Sequence, residues 1–110
     1  MKFLIGAYDT TDISEWKVEE SSNSLVFVRK FHSGPNPTWI SRSASIKDVI
    51  YAVNEVDEYE GKKTGAIASF KYNPCTFNWE ISSKLSSEET GPCHVHVDSN
   101  GGFIYVSNYW

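Results

Sequence analysis

His94 and His96 are the residues of this chain whose types and spacing best suit chemistry. In PCHVHVD they stand two apart, so on a β-strand both imidazoles leave the same face and can share a metal ion. A strand-borne site of that kind also needs a carboxylate a few residues on. VDSNGGF supplies no Glu, so no metal and no cofactor are expected, and the plain alternative is a hydrogen-bonded histidine near a strand end. Asn54, Glu55 and Asn108 fall at the ends of apolar, β-prone segments, where polar side chains commonly satisfy backbone groups at turns. Of these, Glu55 is the one able to act as acid or base, although the sequence places no partner beside it. Cys75 and Cys93 match no zinc-ligand spacing and read as reduced, part-buried thiols. His32 and Arg42 belong to no motif.

Positioning such residues falls to β-strands. Aromatic residues make up 15% of the sequence, and apolar residues recur with period two along most of it. Strands are expected at Phe3 to Tyr8, Glu15 to Glu19, Leu25 to Phe31, Thr38 to Ser41, Val49 to Asn54, Gly65 to Tyr72, Phe77 to Leu85, Cys93 to Val97 and Phe103 to Asn108. The turn-forming clusters SSNS, SGPNP, YNP and SNGG separate them. SIKDVIYAV alone carries apolar residues at helical spacing, but its β-branched and aromatic content favours a strand. DEYEGKK, from Asp57 to Lys63, reads as a solvated loop. The fold class is therefore all-β.

With 110 residues, 40% of them hydrophobic and 22% charged, the chain fits one globular domain. A net charge of -4 with ten scattered Lys and Arg makes no basic patch, so neither nucleic acid nor membrane is an expected partner. MKFLIGAYDT lacks the long apolar region and small-residue cleavage site of an export signal, and no run approaches membrane-spanning length. A cytoplasmic location is the expectation.

The sequence repeats itself. When NPTWISRSASIKDVIYAVNE is set above GPCHVHVDSNGGFIYVSNYW, Pro37 meets Pro92 and Trp39 meets His94. After a one-residue deletion in the turn, IYAVN meets IYVSN. FLIGAY is a third copy of that second strand. Four antiparallel strands repeating at roughly fifty residues describe a propeller blade.

FLIGAY, NPTWISRS…VIYAVNEVD, GAIASFKYN and GPCHVHVDSNGGFIYVSNY, in that order, resemble the lactonase family of seven-bladed β-propellers. That family includes bacterial-type 6-phosphogluconolactonases and carboxy-cis,cis-muconate cyclases. The resemblance implies a partial β-propeller: residues 1–35 as strands of the ring-closing blade, 36–85 as one complete blade, and 91–110 as the first half of the next. A full ring needs on the order of 350 to 380 residues, so the ring is expected to be incomplete. Because the family's first strands line a central tunnel, the resemblance makes His94, His96, Asn54, Glu55 and Asn108 tunnel-lining candidates for a sugar-acid lactone or related organic acid. His94 would offer a hydrogen bond or proton to a bound anion.

The family's catalytic histidine, glutamate and arginine residues fall mostly in later blades. The chain alone is thus expected to catalyse neither lactone hydrolysis nor muconate cyclisation, and no catalytic residue is assigned. The contrasting reading is a non-enzymatic sheet module that self-associates, or docks a partner, along Phe103 to Trp110, an edge with neither proline nor charge. Without flanking blades, Ile40, Ile50, Val53, Ile67, Val95 and Ile104 are expected to lose part of their cover.

Overall fold

A computed structural model describes residues 1–109; Trp110, the last residue of the expected association edge, lies outside them. The described strands form three antiparallel sheets. The first has the order β1 (Lys2–Ile5), β2 (Asp12–Glu19), β3 (Ser24–His32). The second runs β4 (Ile40–Arg42), β5 (Val49–Asn54), β6 (Ala66–Asn73), β7 (Asn78–Ser86). The third pairs β8 (Pro92–Val97) with β9 (Ile104–Asn108). Val49–Asn54 is a strand, as its β-branched content requires, and the chain enters it through a turn in which Asp48 has φ of 61°.

Several strand ends differ from the sequence reading, β2 beginning at Asp12 and β4 at Ile40 among them, and three have a clear local reason. β1 stops at Ile5 rather than Tyr8, because Gly6 passes so close to the linker that a Cβ there would stand 1.8 Å from the Pro37 carbonyl oxygen. Phe77 does not open β7; it sits in the preceding turn with φ of 56°, exposed. Phe103 closes the β8–β9 loop by accepting the Asp98 N–H at 3.0 Å, so β9 begins at Ile104. Cys75, expected to be part-buried, is carried out to solvent by the β6–β7 turn, whereas Cys93 is half-buried; both are free thiols.

The first two sheets meet face to face over Ile13, Phe31, Ile50, Ala52, Ala68 and Phe70, with Leu4, Ile40 and Trp79 packed around them. The Phe31 ring meets Phe70 edge-on at 5.4 Å. Residues Val53, Ile67, Val95 and Val97 are buried outside that cluster, where β5 lies against β8. The second sheet is thus covered on both faces from within the chain. This is why Ile50, Val53, Ile67 and Val95, expected to be part-uncovered, are buried, while Ile40 and Ile104 are half-buried. Exposed apolar residues include Phe3, Ile5, Phe27 and Tyr105 on the flanking sheets, Phe103 in the β8–β9 loop, and Ile81 and Leu85 on β7, the outer edge of the second sheet.

The repeat read in the sequence recurs as a hydrogen-bond pattern. At the end of β5, Asn54 Nδ2 donates to the Ser33 carbonyl at 3.1 Å, and at the end of β9, Asn108 Nδ2 donates to the Ser87 carbonyl at 3.1 Å. Each serine in turn donates its backbone N–H to an upstream carbonyl: Ser33 to Thr11 at 2.8 Å and Ser87 to Gly65 at 3.1 Å. One asparagine per second strand therefore ties the linker that enters its own sheet.

Candidate functional site

Glu55 directly follows β5, where the strand turns outward, and its half-buried carboxylate is held from two sides. The Tyr8 hydroxyl donates to Oε1 at 2.6 Å, and the Thr38 hydroxyl donates to Oε2. Asn36, with φ of 48°, organises the backbone beneath them. It accepts the Asp9 N–H on its side chain at 3.0 Å, donates Nδ2 to the Glu55 carbonyl at 3.1 Å, and takes the Glu55 N–H on its own carbonyl at 3.0 Å. A residue of the β1–β2 loop, the entry to β4 and the exit of β5 are thereby drawn onto one carboxylate. The Tyr8 phenol pKa is raised, first by its hydrogen bond to Glu55, then by lost hydration and by the negative charges of Glu55 and Cys93.

Trp39 continues this rim. Its carbonyl accepts the Val53 N–H at 3.0 Å, fixing it opposite the end of β5. Its ring lies against His94 with centroids 4.5 Å apart and planes tilted by 47°. The two rings aligned by the sequence repeat are therefore contact partners across successive sheets, Trp39 just before β4 and His94 on β8, where these edge strands lie side by side. The indole keeps 45% of its surface exposed. His96 shares the β8 face of His94, opposite the buried Val95 and Val97, and is exposed.

Of the five residues predicted from the sequence, Glu55 is held by the Tyr8 and Thr38 hydroxyls, and His94 packs on Trp39, the residue after Thr38. His96 lies farther along β8. Asn54 is wholly buried, its amide spent on the carbonyls of Ser33 and Pro35, at 3.1 and 2.8 Å. Asn108 is half-buried in the equivalent bond to Ser87. Both asparagines occupy the turn-satisfying role weighed for them. Sequence reasoning missed Tyr8, Thr38 and Trp39 as site residues. Trp39 carried a signal, its alignment with His94; Tyr8 is 47 residues from Glu55 and carried none.

A second concavity lies at the opposite ends of these strands. It is a groove of about 400 Å³ between the first two sheets, lined by Phe3, Leu4, Ile40, Ile50 and Trp79 and edged by Lys2, Glu15, Arg42 and Asp48. Buried Glu15 is paired there with Lys2 at 3.6 Å and with Arg29 at 3.1 Å, an ionic contact too bent to count as a hydrogen bond. Among the described residues no three His, Cys, Asp or Glu side chains converge as metal ligands. No helix there is long and apolar enough to cross a membrane.

A four-stranded antiparallel sheet flanked by two partial ones, the second and third each entered through a linker pinned by an asparagine of its own second strand, defines a β-propeller-type protein. The family profile described as "Lactonase, 7-bladed beta-propeller" matches residues 2–110, and the chain belongs to that family. No curated protein matched it. Among solved structures, a candidate 6-phosphogluconolactonase from Bacteroides uniformis superposes with a TM-score of 0.77 at 22% identity, covering 98% of this chain and 30% of that one. The periplasmic gluconolactonase of Pseudomonas aeruginosa gives 0.78 at 21% identity, covering 96% and 30%. A protein from Lactobacillus plantarum gives 0.77 at 23%, covering 98% and 30%. At these identities the likeness is one of fold. The chain spans about 30% of the length of the structures it matches.

Proposed function

We propose that these residues form the N-terminal part of a lactonase-type propeller acting on a sugar-acid lactone, contributing one stretch of tunnel wall through His94, Glu55 and their neighbours, and that the 110-residue chain does not turn over by itself. The observation that carries this reading is the pair of unfinished sheets. Among the described residues β1 pairs only with β2 and β9 only with β8, while the second sheet between them has four strands, as a full blade does. Lactone hydrolysis requires an activated water, a general base and groups that hold the developing oxyanion. At the rim, the described side chains supply a carboxylate already shared by two hydroxyls and one imidazole, but no positioned cation for an acid or phosphate terminus.

Purified chain should hydrolyse 6-phosphogluconolactone and glucono-1,5-lactone at the spontaneous rate, and should not cyclise carboxymuconate. Saturable turnover lost on His94→Ala would refute the incompleteness of the site. The coding DNA beyond the Trp110 codon is the independent check: further blades in the same or an adjacent frame support the reading, and unrelated sequence counts against it. Cytoplasmic residence is part of the same proposal and is tested by fractionation, since one similar structure is a periplasmic protein.

A further inference from the structure

The groove between the first two sheets lies at the strand ends opposite His94 and Glu55, and the lactonase reading makes no use of it. Its volume of about 400 Å³ falls among small-molecule sites, roughly 300 to 1,000 Å³. Phe3, Leu4, Ile40, Ile50 and Trp79 line it, and none of its lining side chains is a hydroxyl or an amide. A polyhydroxylated body would find its hydroxyls unpaired there, whereas an apolar one would be covered. Trp79 is fixed by two further rings, Tyr72 at 5.4 Å and Phe31 at 6.3 Å, so this wall is formed before anything enters.

The charges at the groove's edge are not equally available. Glu15, with 4% of its side chain exposed, is committed to Lys2 at 3.6 Å and Arg29 at 3.1 Å. Among the described residues, neither Arg42 nor Asp48 makes an ion pair. The cations Lys2, Arg29 and Arg42 outnumber the carboxylates of Glu15 and Asp48 by one, in a chain whose net charge is -4. Arg42 therefore offers an uncommitted guanidinium fork, the shape that matches a carboxylate, beside an apolar wall.

We propose that this groove binds an amphipathic monocarboxylate, an aryl or alkyl acid whose apolar body lies against Leu4, Ile40 and Trp79 and whose carboxylate pairs with Arg42. The test titrates the 110-residue chain with phenylbutyrate, phenylbutanol, phenylbutylamine and acetate, followed by amide-resolved NMR. Phenylbutyrate should bind at millimolar concentration, shifting the Leu4, Arg42 and Ile50 amides and the Trp79 indole N–H while the His94 amide stays unmoved. The alcohol and the amine should each bind about threefold or more weakly. Acetate, a head without a body, should shift nothing at the same concentration. Arg42→Gln should make the acid and the alcohol bind alike. Asp48→Asn keeps a residue that tolerates the left-handed backbone, φ of 61°, and should tighten the acid about twofold while leaving the alcohol unchanged.

No shift at the groove with phenylbutyrate overturns the proposal, as do shifts centred on His94 or a parent preference for the alcohol or the amine. A preference for the acid that survives Arg42→Gln, or an Asp48→Asn chain that binds the acid no better, overturns the placement of the carboxylate at this edge. None of these results bears on lactone turnover, which is measured separately, and turnover by the chain would leave the groove assignment standing.

Discussion

Replacing the buried amide of Asn54 by a carboxylate of the same shape should damage the chain more than removing the side chain altogether. Asn54 is fully buried and donates Nδ2 to two carbonyls, those of Pro35 at 2.8 Å and Ser33 at 3.1 Å. Asn54→Ala deletes both bonds, at about 1 kcal/mol net each, and leaves two carbonyls short of a partner. It also removes an Oδ1 that is buried with no partner, which returns part of that loss. The net cost is about 2 to 3 kcal/mol. Asn54→Asp fills the same space but turns a carboxylate oxygen toward those two carbonyls, so its cost near pH 7 should reach about 4 kcal/mol or more.

The new carboxyl can relieve the clash by taking a proton, which raises its folded-state pKa above the unfolded value of about 3.9. The folded state then binds more protons than the unfolded state between those two values. Stability therefore falls as pH rises through this window and recovers as pH drops, by at most about 1.4 kcal/mol per pH unit. Urea unfolding of the two variants, followed by tryptophan fluorescence at about pH 7 and about pH 5, measures this. The donor role of Asn54 is refuted if the two variants agree within about 0.5 kcal/mol at both values. Asn108→Ala, which loses one such bond, should cost about 1 kcal/mol and serves as the reference.

Phe70→Ala removes a fully buried ring packed edge-on against Phe31 and should cost about 3 to 5 kcal/mol by denaturant unfolding. Gly65→Ala places a methyl 2.1 Å from Pro92 Cδ and should lower the melting temperature, whereas Gly61→Ala has open space around it and loses mainly through its φ of 77°. In an alkaline ultraviolet titration Tyr8 should ionise above the ordinary phenol value, and Glu55→Gln should bring it down. Because its folded-state pKa is raised, its contribution to stability is present below the unfolded value of about 10 and lost as pH rises through the folded one. The 110-residue chain should self-associate through the free edge of β9. Sedimentation should show smaller species for Ile104→Lys and smaller still for Tyr105→Pro, and unchanged distributions in both would remove that edge from consideration.

The second strands were the most legible part of the sequence, because IYAVN and IYVSN repeat both an apolar alternation and a terminal asparagine whose side chain does the same job twice. Pro37 and Pro92, both wholly buried, were legible for the same reason. Strand ends set by distant contacts were not. Nothing near Gly6 announces that the Pro37 carbonyl will pass beside it, and Phe77 has a strand-forming side chain on a backbone bent to positive φ. The candidate site divides along the same line. His94 and Glu55 could be picked out by residue type, but the Tyr8 hydroxyl reaches Glu55 from the first sheet and the Thr38 hydroxyl through the pairing of β4 with β5, neither of which local pattern encodes.

The asparagine pins also bear on the order in which the protein is made. Asn54 and Asn108 each reach back 21 residues, to a serine that has already left the ribosome when the second strand of the new repeat emerges. Each repeat can therefore be fastened to its predecessor before its own outer strands have emerged. A nascent chain built this way grows as a ratchet, in which the entry linker of every new repeat is fixed in direction before the next emerges. A mispaired repeat would have to break a buried amide contact to slip backward. Synonymous-codon pauses that hold the chain once Asn54 has cleared the ribosome should thus favour correct docking, while pauses that hold it with β5 still inside, before the pin can form, should not.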